Sequence, residues 1–434
     1  MLSDQARHKL GSILRSPALA VAVAYALRMF LLWFTQKEGA HPRLQVVGLE
    51  EGRVAWSLAT GKGFFGPFPG YEAVTAWLAP GYPFVWAICL KLARLNSEAL
   101  ILIGQTINCV FSAATCWPIF AIGKRLFGNK VGLASAWTWA LLPYAILMSL
   151  EWTWDQCMAA FLIAVIVEAT FRLRDSMSPL AWSGYGMLWA VAALVNPALC
   201  GLLPFLLGWL AFQRWRSGVM TPALYARAVL LFFLAVLPWS VRNYYAVDGW
   251  VFVKSNFGVA MWVGNHPASL AIDPHPMDNF AERIHLILLG EAAFSKEQEH
   301  LAMAFIKSHP KEFIKITWNR ILDTWSAKDD SLADGWIMAL HLRNEDIWLC
   351  SFFSVLSFAG LLLALRARGM EPLPLALCVF LFPLPYYISL AEMRYRHPID
   401  PFLTIFAVYA SSRLWRAISP RAAIEPLQAM TSAR

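Results

Sequence analysis

Two short acidic stretches and one arginine-rich turn carry most of the chemistry that the sequence offers. Glu50 and Glu51 stand together after the first apolar run. A partly desolvated carboxylate at a membrane surface can take a proton from a hydroxyl. Acidic residues also favour the first turn of a helix for purely electrostatic reasons. Glu151 and Asp155 flank tryptophans in EWTWDQ, residues 151–156. Acidic groups at the end of a membrane span are costly unless hydrated or paired. They either snorkel to the interface or form a second acidic group facing the first. Toward the C-terminus, AEMRYRHPIDP crowds Glu392, Arg394, Arg396, His397 and Asp400 into one short turn. A permanently charged guanidinium suits a phosphate, which it can bind bidentately. The alternative is pairing within the turn, with Glu392 and Asp400 neutralising the arginines. His397 could add a donor to a phosphate. Arg242, in PWSVRNYY, emerges where a topological rule does not ask for arginine.

Residues 61–83, GKGFFGPFPGYEAVTAWLAPGYP, form a turn-rich loop whose aromatics either stack on a sugar or pack among themselves. The seven cysteines are an odd number without metal-ligand spacing. Buried inert thiols are expected rather than disulfides or a metal site.

These residues must be positioned by a membrane protein. The chain has 434 residues, 58% hydrophobic and only 15% charged, with a mean hydropathy of +0.51. A soluble domain is about 25% charged. A cytosolic enzyme, a secreted disulfide scaffold and a disordered chain are therefore excluded. The apolar runs have helical length rather than the roughly ten-residue alternation of a barrel. Candidate spans are 17–36, 99–122, 131–150, 157–173, 180–197, 199–213, 225–241, 347–365, 372–390 and 401–415, about ten in all. Ala18 to Phe34 reads as an uncleaved anchor.

The net charge of +8 reflects topology and not nucleic acid. Basic clusters sit in every second loop: Arg7, Lys9 and Arg15; Lys124, Arg125 and Lys130; Arg172 and Arg174; Arg214 and Arg216; Arg366 and Arg368; Arg413 and Arg416. The positive-inside rule makes these loops and both termini cytoplasmic. The segments 37–98, 151–156, the turn near Pro197, 242–346 and 391–400 then face outward. Pro80 to Leu95 is apolar, but Lys91 and Arg94 cut it short. Counting it as a span would invert every later loop, so it is expected to be a short interfacial helix. Residues 50–60 form another. Arg28 and Glu168 lie inside spans and are expected to snorkel. The stretch 242–346 reads as two or three amphipathic helices capping the membrane part.

At this point the sequence resembles the GT-C superfamily of polytopic glycosyltransferases. The resemblance lies in the branch of protein mannosyltransferases and aminoarabinose lipid A transferases, whose bacterial members are often called phospholipid-carrier-dependent glycosyltransferases of family 39. The resemblance runs through Glu50, Arg53, Ala55, Ser57, Leu58, Gly61, Gly63 and Phe64, then Pro80, Tyr82 and Pro83. It continues through KRLFG (124–128), Leu142-Pro143 and Asp155. Further pieces are PWSVRNY (238–244), SNFG (255–258), WVGNHP (262–267), LGE (289–291) and SHPKEF (308–313). The last is RYRHPIDPFL (394–403).

The resemblance implies inverting transfer from a polyprenyl-phosphate-linked sugar donor to a lipid, glycan or protein acceptor at the outer face. The family usually presents an Asp in the first outward loop; here Glu50-Glu51 stands there. The spacing favours Glu50 as base, Glu51 second, with Asp155 as the second acidic group. Arg53, Tyr82, Arg242, Asn265, His266, Arg394, Tyr395, Arg396 and His397 are the implied substrate-binding set. No cofactor and no metal are implied.

The expected fold class is an all-α polytopic GT-C-like bundle with interfacial helices in the first outer loop and a small helical cap. The expected units are 1–241 (with catalytic loop 37–98), 242–346 and 347–434, in the inner (plasma) membrane. A lipid-linked sugar flippase or another transporter is the rival, but no strong internal repeat supports it. A non-catalytic assembly factor would tolerate loss of the acidic groups.

Overall fold

The computed structural model describes residues 16–37, 49–97, 99–151, 153–266, 279–326 and 343–419. Arg7, Lys9, Arg15, Trp152, Pro267 and the side chain of Glu151 lie outside the described residues, as do parts of the expected cap. The described residues are helical, and their only β-pairing is one isolated bridge between Phe65 and Val74.

Among the described residues, six helices are long and apolar enough to cross a membrane. The bent pair Asn129–Leu141 and Pro143–Leu150 makes a seventh when counted as one broken span. The multi-pass expectation is met; the figure of ten is not reached by these criteria. Pro179–Val195 and Leu373–Ile388 are apolar but shorter.

Helix α1 (Pro17–Lys37) buries a single stripe, Ala20, Ala24, Arg28, Leu32 and Thr35. That spacing is one helical face, and its small alanines allow close approach to α4 (Leu100–Ala114), α5 (Cys116–Phe127) and α6 (Asn129–Leu141). Arg28 does not snorkel. It is fully buried and donates to Ser112 Oγ (3.0 Å), to its own-turn carbonyl Ala24 (3.1 Å) and to the carbonyls of Ala140 (3.1 Å) and Trp139 (3.4 Å). The reason lies in the sequence at Leu142-Pro143. Proline has no N–H and disfavours helix in the residue before it. The chain therefore bends by 47° between α6 and α7 (Pro143–Glu151). The bend leaves Trp139 and Ala140 without helical donors, and a buried orphan carbonyl is costly in lipid. Arg28 supplies the missing donors from a neighbouring helix.

The rest of the bundle comprises α8 (Gln156–Leu173), α9 (Pro179–Val195), a 3-10 turn (Pro197–Leu202), α10 (Leu203–Arg216) and α11 (Pro222–Val247). After the intervening helices, α16 (Arg343–Arg368), α17 (Leu373–Leu381), α18 (Leu384–Ile388) and α19 (Asp400–Ile418) complete it. Helix α16 crosses close to α19 at Gly360, where any Cβ would collide with the Phe406 carbonyl.

Between α1 and α4 lie α2 (Leu49–Ala59) and α3 (Gly81–Leu92), packed on each other. These are the two expected surface helices. Twelve residues of helix reach about 18 Å, too short for a hydrocarbon core of about 30 Å. Tyr82, Trp86 and Leu90 of α3 face the bundle, while Phe84, Ile88 and Leu92 are exposed on the opposite stripe. The chain between them is folded by turns at Gly61 and Gly63, both in the positive-φ region that suits glycine.

Next come the wholly apolar helix α12 (Phe257–Gly264) and a group of more polar helices, α13 (Phe280–Leu289), α14 (Glu291–Ser308) and α15 (Pro310–Ser326). A second apolar core joins this group to the first loop: Phe64, Phe68, Tyr71 and Trp77 pack with Val259, Leu286 and Phe294. The loop aromatics are thus occupied by one another. Phe68 meets Trp77 edge-on at 4.9 Å. The packed-loop reading is the one realised for these four rings. All seven cysteines are free.

Candidate active site

The site assembles at the ends of helices. Adjacent residues on a helix point about 100° apart, so α2 sends its two glutamates in different directions. Glu51 is 6% exposed and Glu50 is half-buried. Asp155 stands at the N-terminus of α8, without a side-chain capping hydrogen bond, and is 8% exposed. The positive end of a helix dipole favours a carboxylate there. Asn196, ahead of Pro197, favours the ionised form of the Asp155 carboxyl. Asn196 is held in turn by accepting from the Ala198 N–H at 3.1 Å.

Burial pushes the Glu51 carboxyl well above the usual range, and the negative charge of Asp155 pushes it further. Lys254 opposes this and Glu50 adds to it. Asp155 is also raised, by burial, against the pull of Lys254, Asn196 and Arg394. Two acids arranged this way retain a proton more readily than either would alone. Glu51 Oε2 is buried with no hydrogen-bond partner among the described residues.

The arginine-rich turn is a 3-10 segment, Met393–Ile399, and its two arginines have different work. Arg394 pairs with Glu392 (Nε–Oε2 2.7 Å), donates to Tyr395 Oη at 3.0 Å and lies over the Trp154 ring at 3.2 Å. Trp154 immediately precedes Asp155, so Arg394 sits against the second acidic loop. Burial disfavours its charge, but Glu392 and Tyr395 raise its pKa overall. Tyr395 stacks on Tyr386 at 4.5 Å. Arg396 is different. Its Nε donates to Asp400 Oδ1 at 2.8 Å, and its Nη1 meets the Thr324 carbonyl (3.2 Å), Cys350 Sγ (3.1 Å) and Ser354 Oγ (3.1 Å). For Arg396 the internal pairing foreseen as an alternative is the arrangement found. His397 is also sealed in. It lies 3.7 Å from Cys157 Sγ, stacks on Trp139 and sits 3.6 Å from Asp400.

The remaining candidates divide the same way. Arg242 donates to the carbonyls of Thr75 (2.5 Å) and Phe64 (3.2 Å) and covers the Trp239 ring at 4.8 Å, so it braces the first loop. Tyr82 is buried, with its hydroxyl on the Gly104 carbonyl at 3.2 Å. Asn265 donates to Met261 and Ile388 carbonyls (2.8 and 2.9 Å), and His266 lies beside Trp262 at 5.4 Å. Arg53 is half-buried on α2. The structure therefore groups Glu50, Glu51, Asp155 and Arg394, and places Tyr82, Arg242, Asn265, Arg396 and His397 in the framework.

Sequence reasoning singled out neither Lys254, Asn196 nor Arg320. Lys254 is a lone cation inside GWVFVKSNFG, and that isolation was the available signal. Asn196 was marked only by its Asn-Pro turn. Arg320 of α15 grips the Gly264 carbonyl and donates to the Tyr387 carbonyl at 3.2 Å. Burial lowers its guanidinium to about 10. A Cβ at Gly264 would collide with the Ser389 carbonyl, so glycine is required at that contact. Among the described residues no three His, Cys, Asp or Glu side chains converge as metal ligands.

Residues 78–241 match the model of a family described as dolichyl-phosphate-mannose-protein mannosyltransferase. A search of curated proteins by sequence gives no significant match. Among solved structures, the oligosaccharyltransferase of Archaeoglobus fulgidus in its apo form superposes with a TM-score of 0.57 at 14% identity, over 95% of this chain and 51% of that one. The same enzyme, AglB, with an inhibitory peptide and a dolichol-phosphate gives 0.56 at 13%, over 98% and 52%. Tethered to an acceptor peptide containing the NVT sequon, it gives 0.56 at 12%, over 96% and 53%. The chain thus spans about half the length of that enzyme. The shared architecture is the GT-C-like helical bundle expected from the sequence.

Proposed function

We propose that the protein is an inverting membrane glycosyltransferase that moves a sugar from a polyprenyl-phosphate-linked donor to a hydroxyl acceptor. The observation that carries this reading is that Glu51 of α2 and Asp155 at the start of α8 are both buried and electrostatically coupled, with Arg394 held over Trp154 next to Asp155. The fold shared with an oligosaccharyltransferase and the family match over 78–241 support it.

In this reading Glu51, not Glu50, is the base. It is the buried glutamate, its Oε2 has no hydrogen-bond partner among the described residues, and burial raises its affinity for a proton, as a base requires. The acceptor hydroxyl gives its proton to Glu51 as its oxygen attacks the anomeric carbon. The bond from that carbon to the phosphate oxygen breaks on the opposite face, and its electron pair leaves with the phosphate. Positive charge fixed nearby stabilises that departure because it needs no reorganisation. Arg394 is so fixed by Glu392 and Trp154. Asp155 holds the acceptor and sets the proton affinity of Glu51.

The acidic group faces the outer side of the inner (plasma) membrane, and both termini are cytoplasmic. The unit 242–346 closes over it between the membrane modules 1–241 and 347–434. The acceptor is a lipid, a glycan or a protein.

Purified protein in lipid nanodiscs should release polyprenyl phosphate from at least one member of a panel of polyprenyl-phosphate sugars when acceptor is present. Movement of such lipids across a liposome bilayer without any sugar transfer would instead establish a flippase.

A further inference from the structure

Beside two carboxylates, a donor phosphate that Arg394 stabilises as it leaves is bound more tightly if a second cation, one that no protein anion already holds, also reaches it. Arg396 is sealed against Asp400, and Arg242 is engaged by the carbonyls of Thr75 and Phe64. Arg394 is paired with Glu392. Lys254 is half-buried, acts electrostatically on both Glu51 and Asp155, and among the described residues has no hydrogen-bond or contact ion-pair partner.

The short segment that carries Lys254 is held from both sides. From the end of α11, Asn243 donates to the carbonyls of Val251 (3.3 Å) and Val253 (3.0 Å). Ser240 donates to Phe252 (2.6 Å) and Trp239 to Val253 (2.9 Å). On the other side, the Ser255 N–H donates to the Ala76 carbonyl at 2.9 Å. Its hydroxyl donates to Glu291 Oε1 at 2.6 Å. Glu291 is a buried carboxylate that also accepts from the Ala76 N–H (2.8 Å), Thr75 Oγ1 (2.6 Å) and Tyr71 Oη (3.3 Å). One side chain from α14 therefore ties the first loop to the residue next to Lys254. The carbonyl of Val253 and the N–H and hydroxyl of Ser255 are held by these anchors, which fixes the backbone on both sides of Lys254.

We infer that Lys254 binds the phosphate of the lipid donor and that Glu291, through Ser255, is the positioning residue that fixes Lys254. This rests on the proposed transferase activity for its substrate but is tested by binding. The ammonium is a compact point charge with three donors. It can grip the phosphate without giving up the weaker, longer-range attraction to the acidic pair.

The experiment measures equilibrium binding of undecaprenyl phosphate, the sugar-free product, to the full-length protein in phosphatidylcholine nanodiscs. Donor turnover is followed in parallel. Lys254→Met should weaken binding about ten- to a hundredfold, the loss expected for one hydrogen bond to a charged group, and raise the donor KM. Lys254→Arg should restore part of the affinity, because the charge returns with different geometry. Glu291→Gln should weaken binding less, in the same direction, and raise KM more than it lowers kcat. Undiminished binding by Lys254→Met would overturn the assignment. If that variant does not fold, equal affinities of Lys254→Gln and wild type would overturn it as well. Inorganic phosphate is the competitor that separates headgroup from lipid: weak competition fits a lipid monoester site, and full displacement at micromolar levels would overturn that source. Lys254-dependent binding without turnover of any donor would leave the subsite standing and remove the proposed activity.

Discussion

Glu51 of α2 and Asp155 at the start of α8 are both buried, and the charge of Asp155 raises the proton affinity of Glu51. Glu50, one residue away, does not share that burial. Glu51→Gln keeps the shape and removes the basic oxygen. It should lower kcat at least about a hundredfold, the lower end for general base catalysis, with undecaprenyl phosphate binding retained. Glu50→Gln should lose much less. Single-turnover rates for both variants check this. A dead Glu50→Gln beside an active Glu51→Gln would return the base to the position favoured by family spacing.

The two arginines of the 393–399 turn should fail differently. Arg396→Met leaves Asp400 buried without its cation, and breaking a buried pair costs about 3–5 kcal/mol. The expected result is a large drop in thermal unfolding temperature and in yield. Adding Asp400→Leu should recover stability, since a buried pair replaced by apolar groups is often neutral. Arg394→Ala should fold and show a kinetic defect. A stable Arg396→Met with only a raised donor KM would return Arg396 to the substrate.

Much of the fold was legible because lipid constrains sequence so strongly. Apolar run length shows a multi-pass helical protein and the interruption at Lys91 and Arg94 shows a short surface helix, whereas the bend at Leu142-Pro143 divides a segment, 131–150, that its apolar run presents as one continuous span. The role of Arg28 was not legible. Its partners, the carbonyls of Trp139 and Ala140, become available only through a bend in another helix. The site was half legible for a similar reason. Residue type shows that arginine can bind phosphate, but not whether Asp400 or Thr324 already occupies it. The choice between Glu50 and Glu51 depended on helix phase against α3 and α8, which a single sequence does not fix. Lys254 carried no motif of its own and gains meaning only from the loops around it.

Sidedness has its own test. Arg94 and Arg125 are both exposed, and the alternation of basic loops places them on opposite faces. A membrane-impermeant maleimide added outside intact cells should label Arg94→Cys and spare Arg125→Cys, with both labelled after permeabilisation. The reverse pattern would invert the orientation, and labelling of both from outside would break the scheme of alternate loops.

The pH dependence of the base gives the last prediction. Glu51 works as a base only when ionised, so kcat/KM should rise with pH through the Glu51 pKa. Burial and Asp155 both raise that pKa, so the rise should lie above the ordinary carboxylate range of about 4–5. Asp155→Asn removes one of the raising charges and leaves Lys254, which lowers it. The rise should therefore move to lower pH, whatever the variant does to the maximum rate. Loss of an acceptor contact at Asp155 would change the height of the profile without moving it. Profiles of kcat/KM from pH 4 to 9 separate the two effects. A midpoint that stays fixed or moves upward in Asp155→Asn would show that Asp155 does not set the proton affinity of the base, and would leave it only a binding role.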